Sequence, residues 1–440
     1  MVAEAESRSA VRRETEFPYA GRLVLTVVLL AVYYVMHKIP LPFVQGEIPW
    51  SSAYSAQANV LALGITPLIG GFIVIELFSL MTSKGRELRA GGAAGRARLN
   101  RVALIASLVI AAFQGWGIAS LLEYLSYSGR MSIVDSPGPA FTFFTILTLT
   151  AATAMTFGFG QLLSAYGIGN GFALITLLNI GSVAVSLVGG DLRVLGTWLP
   201  DAAIVLGLAV LAYLFIRSGE NKLIPAFPQG VLAVQWSSRI VFYALRIGVL
   251  GELFLRGSPV WRIGAELIVI ALLSWLTYHW FSSRPRLEAN LSEPAEDLDD
   301  LAAVLKRRAF VATGVLLAGA AAGLVWGASG ASPVTDIFGF SAVVSAVAIG
   351  LDLYDQLRFH RRHGQGALLT QLDNVYFSYF LEQRLQEAEI PALARGHHFR
   401  SLLFFFGALY KIDVFVPTDQ LDRARGVLAD LEMAREVRVF

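Results

Sequence analysis

Few residues in this 440-residue chain are of a type and spacing to do chemistry. His360 and His363 stand among arginines at the end of an apolar run. His397 and His398 are adjacent in what reads as a surface loop. Neither pair has the further ligands a metal site needs, and solvated residues are the simpler reading. Cysteine is absent, which excludes disulfides, thiolate catalysis and cysteine metal centres. No Ser/His/Asp set or carboxylate pair falls at useful spacing. The glycines of Gly167-Ile168-Gly169-Asn170-Gly171 lack the Lys-Ser/Thr of a phosphate loop and follow no strand, and Gly85–Gly95 fails the same test. No enzymatic activity, cofactor or nucleic-acid partner is therefore expected, and any work on a substrate must be driven by something else. What remains are charges inside apolar runs, namely Glu76, Arg239 and Arg246. Each costs about 2.5–3.5 kcal/mol at the centre of a membrane helix, so each is a functional candidate.

The elements that position those charges are hydrophobic. The chain is 55% apolar and only 15% charged, with a mean hydropathy of +0.59. Soluble domains carry about 25% charged residues. A water-soluble enzyme and a disordered scaffold are both excluded, and a polytopic membrane protein is expected. Ten segments are long enough to cross a bilayer. They run Ala20–Val35, Leu61–Met81, Val102–Leu125, Ala140–Leu163, Gly171–Leu187, Leu199–Ile216, Gly230–Leu255, Ile263–Phe281, Phe310–Trp326 and Ile337–Leu357. Pro67 inside the second run removes a backbone hydrogen bond and predicts a bend. With the N-terminus inside, twenty Lys/Arg flank the inner helix ends and five the outer ones, which predicts both termini in the cytoplasm.

Residues 1–19 read as a cytosolic tail without a cleavable signal. Composition changes again after Thr370, with eight Lys/Arg and ten Asp/Glu in the 70 residues from Gln371 to Phe440. There Phe377–Glu389 has helical periodicity, and Ile390–Ala394 and Ile412–Val416 look like strands. Thr418–Leu431 follows as a helix, with Leu421, Ala424, Val427, Leu428 and Leu431 on its apolar face. Thr418 is placed to cap it, and Glu436–Phe440 reads as a last strand. The predicted fold is all-α in the membrane, ten helices in two pseudo-symmetric halves (20–190 and 191–370), with a small cytosolic α+β domain at 371–440. Leu402–Phe406 is too short to span and reads as core.

Several stretches together resemble the SecY family of protein-conducting channels. They are Ile39-Pro40-Leu41-Pro42; Ala62-Leu63-Gly64-Ile65-Thr66-Pro67-Leu68-Ile69; Gly95-Arg96-Ala97-Arg98-Leu99-Asn100-Arg101; Leu147-Thr148-Leu149-Thr150-Ala151; Tyr166-Gly167-Ile168-Gly169-Asn170-Gly171; and Asp352 with Gln356. The resemblance covers roughly Phe17 to Leu368. It implies an hourglass pore in the bacterial cytoplasmic (inner) membrane that exports or laterally inserts polypeptides, with SecE-like and possibly SecG-like partner subunits. It also implies a waist at Ile65, Ile69, Thr176, Ile180, Gln235 and Ser345, and a lateral gate between spans two and seven involving Glu76, Gln114 and Arg239.

The chain departs from that family in several places. Three of the six waist residues are polar, where the family favours isoleucine-like side chains. The plug segment Gln45–Asn59 is short. The loop Ser218–Pro228, which in the family contacts the ribosome or the motor SecA, is reduced, so docking of either is in doubt. The loop Ser282–Arg308 is acidic at Glu293–Asp300. Taking 1.5 Å of rise per residue, Glu76 lies roughly 8 Å and Arg239 roughly 14 Å from the inner ends of their helices. A gate-closing ion pair is one reading of that offset, and separate snorkelling into a wet vestibule is the other. The tail also resembles a small bacterial domain regarded as signal-transducing, through Leu385–Ala392 and Val416–Ala424, which suggests regulation or partner docking. Two further functions stay open: a diverged paralogue that keeps the fold but regulates instead of conducting, and a small-molecule secondary transporter.

Overall fold

The computed structural model describes residues 19–44, 58–90, 92–127, 133–188, 195–217, 224–231, 233–234, 259–284, 287, 295–328, 340–364, 366–372, 375–403 and 410–437. These are mostly helical. In order they form α1 (Tyr19–Met36), α2 (Thr66–Met81), α3 (Ser83–Ala90), α4 (Gly92–Tyr127), α5 (Pro139–Tyr166), α6 (Gly171–Val188), α7 (Leu195–Arg217), α8 (Pro259–Phe281), α9 (Ala295–Ala328) and α10 (Phe340–His363). A C-terminal α+β body follows: β1 (Gly366–Leu372), α11 (Val375–Glu387), β2 (Leu393–Arg395), α12 (His397–Leu402), β3 (Ile412–Pro417), a 3-10 turn Thr418–Gln420 and α13 (Leu421–Val437). Five of the described helices, in α1, α4, α5, α8 and α10, are long and apolar enough to cross a membrane, and shorter apolar helices lie in α2, α6 and α7. Several leave large apolar side chains uncovered, such as Val24, Val27 and Val28 on α1, Phe113 and Trp116 on α4, and Ile268, Leu272 and Trp275 on α8. Exposed apolar stripes of this extent mark a surface meant for lipid or for a partner rather than for water.

The chain divides into two compact units: Arg12–Arg193 together with Phe405–Tyr410, and mainly Val194–Phe404 with Lys411–Phe440. In the first, α2 and α5 pack along α4, and a core of Leu41, Ala119, Leu122, Ile133, Phe141 and Leu149 closes one end of it. In the second, the sheet has the order β1-β3-β2, both pairs antiparallel. β3 is buried along its whole length. Leu368, Leu393 and Phe415 pack on Phe359 of α10, while Val414 and Val416 join the core under α11 and α13. That core also takes in Leu287 and the α9 residues Leu298, Leu301 and Leu305. From Ala295 on, the acidic stretch is therefore the start of α9, whose residues Leu298, Leu301 and Leu305 belong to the core of the C-terminal body.

Three expectations are corrected. Pro67 does not bend a helix, because α2 begins at Thr66 and places the proline in its first turn, where a missing N–H costs nothing. Glu436 and Val437 continue α13 instead of starting a strand, since no glycine or proline falls between Val427 and Val437 to stop the helix. His397 is buried and His398 is largely so, where a solvated loop is expected. Most of the expected seventh span, Gly230–Leu255, lies outside the described residues.

Candidate functional site

The predicted waist residues in the first unit are set by two tight turns. Before α2, Asn59 accepts the Leu61 N–H on its side chain (3.0 Å) and the Ala62 N–H on its carbonyl (3.1 Å). Gly64 then adopts φ +51°, with the Asn179 amide so close that a β-carbon would lie 3.1 Å from its Nδ2. A side chain at 64 would thus be strained in backbone and in space. The turn delivers Ile65 to the N-cap of α2, buried, with Ile69 one turn on and half-buried.

The second turn joins α5 to α6. Thr26 of α1 accepts the Ile168 N–H on its hydroxyl (2.9 Å), Ser164 accepts the Gly171 N–H (2.9 Å), and Gly169 takes φ +72°. Asn170 then caps α6, its side-chain oxygen accepting the Phe172 and Ala173 N–H groups at 3.0 and 3.3 Å. This starts α6 so that Thr176 and Ile180 are half-buried, one turn apart on one face. Thr176 donates to the Phe172 carbonyl (2.8 Å), and its hydroxyl oxygen lies 3.2 Å from the Tyr410 hydroxyl.

The other waist and gate residues fare differently. Ser345 is buried in the second unit, its hydroxyl turned back onto the Ser341 carbonyl at 2.7 Å. Gln235, Arg239 and Arg246 lie outside the described residues, as does most of the plug. Glu76 is half-buried on α2 and accepts a long hydrogen bond from Ser79 (3.4 Å). On α4, the half-buried Gln114 holds its Oε1 enclosed without a hydrogen bond among the described residues. Such an amide oxygen is costly in an apolar setting and suits a position that meets a polar group in another state.

Three features carry no signal in the sequence reading. Tyr410 is one. The second is a polar clasp where Asp352 of α10 accepts the His398 and Phe399 N–H groups, both at 2.9 Å, and so caps α12. His398 Nε2 meets Asp355 at 3.0 Å, and Arg217 at the end of α7 lies 3.4 Å from the same carboxylate. Burial alone would lower the His398 pKa, but the Asp355 hydrogen bond and the two carboxylate charges raise it above the ordinary histidine value. The third is Ser378 with His397, 3.2 Å apart and both buried. The Ser378 hydroxyl is spent on the Val375 carbonyl (2.7 Å), and its complete enclosure leaves no room for a substrate. Nearby, burial pushes Glu382 up to about 8, only partly offset by the Ala394 N–H. Asp352 stood out in the sequence only as part of the family resemblance, and its partners His398 and Phe399 lie more than 40 residues away.

The likeness appears first in the fold. It resembles that of a solved structure titled as a protein conducting channel, with a TM-score of 0.51 at 12% identity over 78% of this chain and 93% of that one. Sec61 in the canine ribosome–channel complex gives the same figures. Within that class, the SecY family model matches residues 59–224, and over that stretch the chain is SecY-like. The protein translocase subunit SecY of Buchnera aphidicola subsp. Acyrthosiphon pisum is 29% identical over 199 residues, 40% of this chain and 45% of that protein. The SecY of Buchnera aphidicola subsp. Schizaphis graminum is 25% identical over 280 residues, 58% and 62% of the two chains. The SecY of Escherichia coli strain K12 is 27% identical over 176 residues, 36% and 39%. The matches thus span about half the length of these curated relatives. They bear out the resemblance drawn from the motifs of the first half.

Proposed function

We propose that the chain is the channel subunit of a polypeptide translocation pore, with no enzymatic activity of its own. The observation that carries this is the SecY match over residues 59–224, together with the two turns that set Ile65 and Thr176 at the starts of their helices. In this reading ten spans, at the boundaries given above, form halves at 20–190 and 191–370, with both termini and the 371–440 domain in the cytosol of a bacterium. Ile65, Ile69, Thr176, Ile180, Gln235 and Ser345 narrow the pore, and Glu76, Gln114 and Arg239 belong to a lateral gate. SecE-like and SecG-like subunits complete the complex. The shortened loop at 218–228 argues for a driver other than SecA or a ribosome docked in the usual way.

The experiment is photo-crosslinking in the producing cell from Ile65 or Ile180 to a stalled secretory precursor. A precursor adduct at either position is the expected result, and its absence at both removes the reading. A specific observation favours the second reading, a diverged paralogue that regulates. Thr176 is engaged by Tyr410, and Ser345 is turned onto its own helix, so two polar waist residues are already occupied. Capture of a ligand by the tail with no chain at Ile65 or Ile180 would favour it.

A further inference from the structure

Residues 402–410 read Leu-Leu-Phe-Phe-Phe-Gly-Ala-Leu-Tyr, nine residues without a charge. Tyr410 groups with the first unit. Tyr410 is 2% exposed. Its ring stands edge-on to Phe172 at 5.9 Å, and its hydroxyl lies 3.2 Å from Thr176 Oγ1. The Thr176 proton is already given to the Phe172 carbonyl, so the phenol is the donor. Burial raises the Tyr410 pKa, which keeps that proton in place at any ordinary pH. Thr176 is five residues into α6, roughly 8 Å from its start at 1.5 Å per residue. Within the first unit, Tyr410 thus makes an aromatic contact with Phe172 and a hydrogen-bonded contact with the predicted waist residue Thr176.

We propose that Tyr410 is an internal ligand of α6: it covers Thr176 in the resting channel and must leave before a polypeptide occupies that position. This rests on the channel reading and deepens it, by naming what holds the passage when no substrate is present. The seat is built for a ring with a donor at its tip. Phe172 supplies an aromatic edge contact and Thr176 a single hydrogen bond, together weak enough for an arriving apolar segment to displace. A ligand shifts such a two-state element only by its differential affinity, so substrate and Tyr410 must exclude one another at Thr176.

The chain has no native cysteine, so Thr176→Cys with Tyr410→Cys in the full-length protein and its native membrane gives a clean test. A cleavable bis-maleimide is expected to link the pair in the resting state. In the linked protein, photo-crosslinking from Ile180 to a stalled precursor should fall at least about fivefold, the low end of coupling between sites, and recover when the linker is cut. Failure to link the pair overturns the proposal. Equal precursor adducts before and after cutting overturn it while leaving the channel reading intact. Absence of precursor at both Ile180 and Ile65 in linked, cut and wild-type protein alike fails the channel reading, and the proposal with it; absence at Ile180 alone, with an adduct at Ile65, overturns the proposal only. Tyr410→Phe, which keeps the ring on Phe172 and loses only the hydroxyl, should raise the precursor adduct at Ile180 above wild type. An unchanged adduct also overturns the proposal.

Discussion

The unit built on Arg12–Arg193 and the C-terminal α+β body are held together by different means. In the first, most polar side chains satisfy backbone close at hand in sequence, as Thr153 to Leu149, Thr156 to Ala152 and Asn170 to the start of its own helix, although Thr26 also meets Ile168 over 142 residues. Apolar packing does the rest. In the second, the decisive contacts join residues far apart in sequence. Asp352 caps a helix 46 residues on, Arg217 reaches Asp355 over 138 residues, and Tyr376 donates to Ser282 over 94 (2.6 Å). Arg395 pairs with Asp413 across two neighbouring strands while its guanidinium lies over Phe415. The first unit is therefore expected to tolerate loss of most single polar side chains better than the second.

The largest effect that would test this contrast is Asp352→Ala. It strands the His398 and Phe399 N–H groups in a buried setting and should cost the C-terminal body about 3–5 kcal/mol. Limited proteolysis should then release that body while a fragment containing α4 and α5 stays resistant. If both parts became sensitive together, the two would not be separable in energy and the contrast would be wrong. Asp352→Asn, which keeps one acceptor, should fall between.

Next in size is Leu305→Ala. Leu305 is fully buried on α9 but belongs to the core of the C-terminal body. Truncating a buried leucine costs about 2–5 kcal/mol. The loss should appear as lowered thermal stability of the C-terminal body, matching Leu381→Ala within that body. A loss confined to the membrane helices would show that the shared core is not shared in energy.

What was legible in the sequence follows the same line. The helices of the first unit announce themselves, because apolar runs and turn motifs such as Tyr166–Gly171 are local signals. The tail helices and strands at Val375–Glu387, Leu393–Arg395 and Ile412–Pro417 were nearly as readable, for the same reason. The clasp at Asp352, the burial of His397 and the seat of Tyr410 were not. Each depends on which distant segment arrives beside it, and no periodicity encodes that. His397 and His398 look solvated because charged and polar neighbours surround them in sequence, whereas Ser378 and Asp355 surround them in space.

The two titrating groups of the C-terminal body give a pH test. Glu382 ionises near 4.5 when unfolded and at about 8 in place, so its contribution is full below about pH 4.5 and is lost as the pH rises through about 8. His398, raised by its carboxylate partners, acts in the same direction: its contribution is full below about 6.5 and is lost above its folded value. The body should therefore weaken with alkalinity, measured as its unfolding temperature between about pH 5 and about pH 8.5. Glu382→Gln should flatten most of that slope. An unaltered slope would mean that Glu382 is not the group responsible.

The smallest effects sharpen the local half of the contrast, at two neighbouring positions before and inside α2. Gly64→Ala forces a β-carbon into φ +51° against Asn179, and strain of this kind costs about 1–2 kcal/mol. Pro67→Ala should do almost nothing, within about 1 kcal/mol. Pro67 lies in the first turn of α2, where backbone N–H groups have no partner in the helix to lose. A proline in mid-helix would behave oppositely, its removal restoring a hydrogen bond and stabilising by about 3 kcal/mol. Thermal unfolding of the two variants thus separates a helix that starts at Thr66 from one that begins earlier and bends. A gain near that size for Pro67→Ala would move the start of α2 back toward Leu61, and Ile65 with it from a cap into a helix interior.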